Sequence, residues 1–237
     1  MTEIEWLTVT EPHRMLEFLR GDACDRKLRL FACACCRRVW DRMRFEVSRT
    51  AVEMAERHVD GLATDHERAA VVSLMEGVLI AAGEGGIRID PEFYADVAAS
   101  YALSVFRVYA DETKGPGPGV RPSAQLDANN VSSLTSYAVG QGRLPVPVVE
   151  QAAQCELLRD IFGNPFCPAI ANPSWLTTNV LDLAEAIYAD GAYDRFPILA
   201  DALQDAGCDD ADILTHCHTN GPHARGCWVI DLLTGRE

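Results

Sequence analysis

Six residues able to bind a metal or carry a nucleophile crowd into positions 208–227, "CDDADILTHCHTNGPHARGC": Cys208, His216, Cys217, His218, His223 and Cys227. Among 237 residues with 9 cysteines and 6 histidines, chance places about one in a window of this size. His223 and Cys227 stand four apart, which puts both on one face of a helix. With Asn220-Gly221 folding the chain back, Cys208, Cys217, His223 and Cys227 form a candidate tetrahedral zinc set. The second tight pair of a zinc finger is missing, and the same residues suit a helical corner that uses cysteine as a small apolar side chain. Two readings therefore stand: no cofactor, or one structural zinc.

The stretch "FACACCRRVW", 31–40, raises a similar question. On a helix, Leu28, Phe31, Ala32, Cys35, Val39 and Met43 make one apolar stripe, and Cys35 in its middle is expected in the core. Cys33 and Cys36 share the neighbouring face and can supply only two ligands. A redox C-x-x-C sits at a helix N-terminus, where the dipole lowers the thiol pKa; this pair lies mid-helix with no strand before it. Core packing is the simpler account. "GEGG" at 83–86 and "GPGPG" within 111–123 lack the residues of a dinucleotide or phosphate loop, and G-x-S-x-G and H-E-x-x-H are absent.

Helices must position these side chains, because the apolar period is helical along nearly the whole chain. Helices are expected over 11–20 with Thr10 as cap, from Asp25 to about Met43, over 46–58, 65–82 and 91–110, and again over 147–162, 179–189, 193–206 and from Asp209. A last helix is expected from Pro222 to Gly235. The stretch 128–146 suggests a short helix followed by an extended segment. The fold class is all-α: a compact, bundle-like multi-helix domain over 1–237, with an N-terminal half 1–110, a Gly/Pro-rich loop 111–123 and a C-terminal half 124–237.

Charge bounds the function. A net charge of −14 argues against nucleic-acid and membrane-surface binding. "MTEIEW" has no basic leader, the apolar stretch 69–83 is broken by Glu76, and irregular, odd-numbered cysteines suggest reduced thiols, so a cytoplasmic protein is expected. Within the acidic whole, Arg26, Lys27, Arg29, Arg37, Arg38, Arg42 and Arg44 face only Asp41, while nine acids between Asp182 and Asp212 face only Arg195. Either the two faces pair when the halves pack, or Arg37, Arg38 and Arg42 recruit a protein partner.

The blocks "EWLTVTEPHRMLEFLRG", "DRKLRLFACACCRRVW", "LLRDIFGNPF", "ADALQDAGCDDADILTHC" and "HARGCWVIDLLTG" resemble a family of bacterial proteins that are alike at both ends and vary in a helical middle. The resemblance implies no activity and assigns no catalytic residue or ligand. The expected function is a non-catalytic interaction or regulatory module. The alternatives are a protein with structural zinc at the C-terminal cluster, or an enzyme holding a divalent cation in an acidic helical cleft.

Overall fold

The computed structural model describes residues 1–84, 90–103, 124–140, 148–219 and 221–236. Among them the protein is all-α, with no strand. The expected Gly/Pro-rich loop 111–123, the segment 141–147 and Asn220 lie outside the described residues. No described helix is long and apolar enough to cross a membrane.

The helices run α1 Glu3–Thr8, α2 Pro12–Phe18, α3 Asp25–Arg38, α4 Glu46–Val59, α5 Asp65–Glu84, α6 Pro91–Leu103, α7 Ala124–Val139, α8 Val148–Phe162, α9 Thr178–Asp190, α10 Phe196–Asp205, α11 Ala211–His218 and α12 Trp228–Thr234. Most starts follow local chemistry. Thr2 and Glu5 close a capping box on α1, Pro12 opens α2 behind Glu11 rather than Thr10, and Asp210 accepts the amides of Asp212 and Ile213 to open α11. Several boundaries differ from expectation, and α7 runs from Ala124 to Val139, where a short helix followed by an extended segment was expected over 128–146. Helix α3 stops at Arg38 and tightens into a 3₁₀ turn at Trp40–Arg42, and α12 begins at Trp228, six residues after Pro222.

Helix α3 is the hub, packed against α4, α6, α7 and α8. A helix enclosed by that many neighbours is buried nearly all round, so Leu30, Phe31, Ala32, Cys33, Ala34, Cys35 and Cys36 form one continuous buried run rather than a stripe. Small side chains let the neighbouring helices approach closely, which is what the cysteines supply. Burial pushes the thiols of Cys33, Cys35 and Cys36 well above the ordinary cysteine value. Of the nine unpaired thiols only Cys24 and Cys167 are exposed, so a maleimide should label two quickly in the native protein and the rest only on unfolding. Rapid labelling of Cys35 would contradict the packing.

The buried apolar side chains gather in two clusters. The larger runs from Trp6 to Ile161 and takes in Ala224; the smaller runs from Trp175 to Leu233 and is built by α9 to α12. The described core thus divides between Ile161 and Trp175, well after the loop expected to separate two halves. Helix α12 reaches across to α8, and Arg26 on α3 holds Asp231 on α12 at 2.7 Å and Asp60 at 3.2 Å.

Residues 221–227, before α12, are laid against α3 and are not helical. Gly226 makes this path possible. Its φ is +90°, and a Cβ there would stand 2.7 Å from Leu30 Cδ1. Gly226→Ala combines a left-handed backbone with overpacking and should cost about 2–4 kcal/mol in denaturant unfolding. A loss below about 1 kcal/mol would show that the loop can move away from α3.

Candidate metal centre

Among the described residues, one group of ligand-type side chains converges: Asp160, His216, His223 and Cys227, each offering one atom, all within 4.8 Å of one another. They come from both sides of the divide. Asp160 lies in the last turn of α8, His216 in the last turn of α11, His223 in the loop, and Cys227 at the cap of α12.

Asp160 organises the site. Its Oδ2 accepts the backbone amide of Ala224 at 2.9 Å, pinning the loop to α8. Its Oδ1 lies 2.9 Å from His223 Nδ1 and 3.2 Å from His216 Nε2. Burial works to raise this carboxyl, but the hydrogen bonds and charge of the two histidines outweigh it and hold Asp160 below its ordinary value. The side chain of Asp160 is only 4% exposed, and those of His223 and His216 are 6% and 17% exposed. Cys227 is buried, and burial drives its thiol well above the ordinary value.

Aromatic rings fix the imidazoles. Phe196, the first residue of α10, stacks on His223 with centroids 4.0 Å apart, and Trp228 meets His216 edge-on at 5.2 Å. The indole Nε1–H of Trp228 donates to His216 Nδ1 at 3.2 Å. Indole is only a donor, so the proton of a neutral His216 sits on Nε2, facing Asp160 and, at 3.1 Å, Cys227 Sγ. His223 turns Nδ1 to Asp160 Oδ1, and its Nε2 lies 3.3 Å from the Thr219 carbonyl. Protons alone therefore hold the four groups as one buried network.

The arrangement also fits a metal. Around a tetrahedral zinc, nitrogen and oxygen ligands stand about 3.3 Å apart and sulfur slightly farther. Three of the separations here, 2.9, 3.1 and 3.2 Å, fall just inside that spacing, and the four ligand atoms all lie within 4.8 Å of one another.

Of the four residues taken from the sequence as zinc ligands, His223 and Cys227 join the group. Cys208 and Cys217 do not; both are buried in the apolar cluster of α9 to α12, where burial raises Cys208 and pushes Cys217 up to about 12. His216 and Asp160 stand in their place, and His218 is exposed. The expected helical face shared by His223 and Cys227 does not exist, because both precede α12.

The recruiting arginines are engaged within the chain. Arg37 holds Glu56 on α4 through Nε and Nη2, and Arg38 holds the buried Glu150 on α8. Arg26 and Arg44 pair with Asp60, Asp231 and Asp90, all outside the acidic stretch 182–212 that was expected to receive this helix. Arg42 sits half-buried in the 3₁₀ turn.

Fold and site together define an all-helical protein with a Cys/His/Asp cluster that could hold a metal ion. Comparison with protein-family models, curated proteins and solved structures finds no match for the chain.

Proposed function

We propose that this is a zinc protein, in which one ion bound by Asp160, His216, His223 and Cys227 fastens the C-terminal helices to the N-terminal bundle. The convergence of four ligand atoms from both sides of the divided core carries this reading. Two imidazoles, a thiol and a carboxylate suit zinc better than magnesium or calcium, which prefer all-oxygen sites. Four protein ligands leave no open position, which favours a structural ion over a catalytic one.

The competitor is the proton-held network, and magnitudes decide between them. Zinc entry displaces hydrogen bonds with net values of about 1 kcal/mol each. It also moves the His216 proton to Nδ1, where the Trp228 bond is lost. Structural zinc sites offer apparent binding energies of about 10–16 kcal/mol, enough to offset these losses. The unpaired thiols suit a reducing, cytoplasmic compartment.

Zinc must displace the proton of the Cys227 thiol, which burial holds on the sulfur. Titrating zinc into chelator-treated protein in weak buffer should release about one proton per ion from this thiol. Affinity should fall about tenfold per pH unit wherever the thiol is protonated in the zinc-free protein. Protein that takes up no zinc, or binds it without releasing protons, would overturn the reading.

A further inference from the structure

A cleft of about 520 Å³ opens where α3, the end of α9 and the 221–227 loop meet, and His223 forms part of its wall. This volume falls within the range of small-molecule sites. In a chain of net charge −14 the lining is basic: Arg37, Arg38 and Arg225 against Glu56 and Asp190. Asp190 is largely exposed and leans toward Arg195 at 3.8 Å.

The guanidinium groups are held in place. Arg37 and Arg38 each turn the Nε–Nη2 edge to a glutamate, leaving Nη1 with no hydrogen bond among the described residues. Arg225 lies over the Tyr188 ring at 4.5 Å, donates to the Tyr188 carbonyl and stands 3.5 Å from Asp60. Tyr193 adds a phenol to the same cleft, and its hydroxyl makes no hydrogen bond among the described residues. Burial raises this phenol, so it remains a donor at neutral pH. Immobilised donors from α3, from the loop and from the turn after α9 line one cavity, the arrangement that recognises an oxyanion at little ordering cost.

We propose that this cleft binds a small molecule through a phosphate or carboxylate group, held by Arg37, Arg38, Arg225 and the Tyr193 hydroxyl. None of these four residues is a proposed zinc ligand, although Arg225 lies on the loop between His223 and Cys227. Inorganic phosphate and malonate, titrated separately by calorimetry into protein as purified and again with EDTA, test it. At least one should bind saturably at one equivalent, with a dissociation constant of about 1 mM or tighter, and the stronger probe identifies the oxyanion. Tyr193→Phe removes an unbonded hydroxyl, so it should weaken binding several-fold without moving the melting temperature. Arg37→Gln, which can still donate to Glu56, should weaken it at least tenfold, while Arg42→Gln, outside the cleft, should leave it unchanged. Absence of saturation, or equal affinity in parent, Tyr193→Phe and Arg37→Gln, would overturn the proposal; if EDTA also abolishes that equal binding, the anion sits on the metal instead.

Discussion

Asp160→Ala should be among the most damaging substitutions in this protein. It removes both acceptor oxygens from a buried site, leaving the Ala224 amide and His223 Nδ1 without their partner. Breaking a buried charged pair in this way costs about 3–5 kcal/mol, and the variant should also lose its zinc. The pH dependence separates the charge from simple packing. Asp160 titrates below its ordinary value in the folded protein, so its stabilising contribution is complete above the unfolded value and is lost as pH falls through the folded one. The gap between parent and variant, measured by urea unfolding, should therefore be widest near neutrality and narrow in acid. A gap constant with pH would mean the carboxylate charge contributes nothing.

Arg26→Met should cost about as much, for the opposite electrostatic reason. Arg26 lies between Asp231, whose side chain is 3% exposed, and Asp60, and it also donates to the Tyr188 hydroxyl at 2.7 Å. Burial already raises Asp231 even with the guanidinium beside it, and one of its oxygens, Oδ1, has no hydrogen-bond partner among the described residues. Without Arg26 two carboxylates remain close together in a poorly solvated place, and a loss of about 3–5 kcal/mol follows. Here the folded value of Asp231 rises further above its unfolded one, so the variant regains stability as pH is lowered and a proton replaces the lost cation. Both deficits should narrow in acid, by different routes: Arg26→Met is itself partly repaired by protonating Asp231, whereas the parent gives up what Asp160→Ala lacks. A pH-independent Arg26→Met deficit would contradict this assignment.

Much of the fold was legible in the sequence because helical period and caps are local signals. Helix α4 was expected over 46–58 and spans Glu46–Val59, and α5 begins at Asp65, where its helix was expected to start. Helix α3 begins at Asp25 as expected but stops at Arg38 rather than near Met43, and its seam was drawn too narrow. One face of a helix can be read from its own spacing; enclosure by four other helices cannot.

The candidate site was half legible. His223 and Cys227 emerged from clustering, although the reason offered, a shared helical face, was wrong. Pro222 looked like a helix start, yet the left-handed Gly226 against Leu30 keeps the chain irregular up to Cys227. Asp160 lies 63 positions before His223, and no spacing rule connects them. One signal was available: Asp160 falls among Leu157, Leu158 and Ile161 on the buried side of α8, where an acid needs a partner. Cys208 and Cys217 looked like ligands by type alone, and the apolar packing of α10 and α11 accounts for them.

X-ray absorption at the zinc edge of the purified protein tests the central claim most directly, because it counts sulfur neighbours. The Asp160, His216, His223 and Cys227 site predicts one zinc per chain with a single sulfur at about 2.3 Å and three nitrogen or oxygen neighbours at about 2.0–2.1 Å. Protein without zinc, or a shell of two or three sulfurs drawing in Cys208 or Cys217, would contradict it.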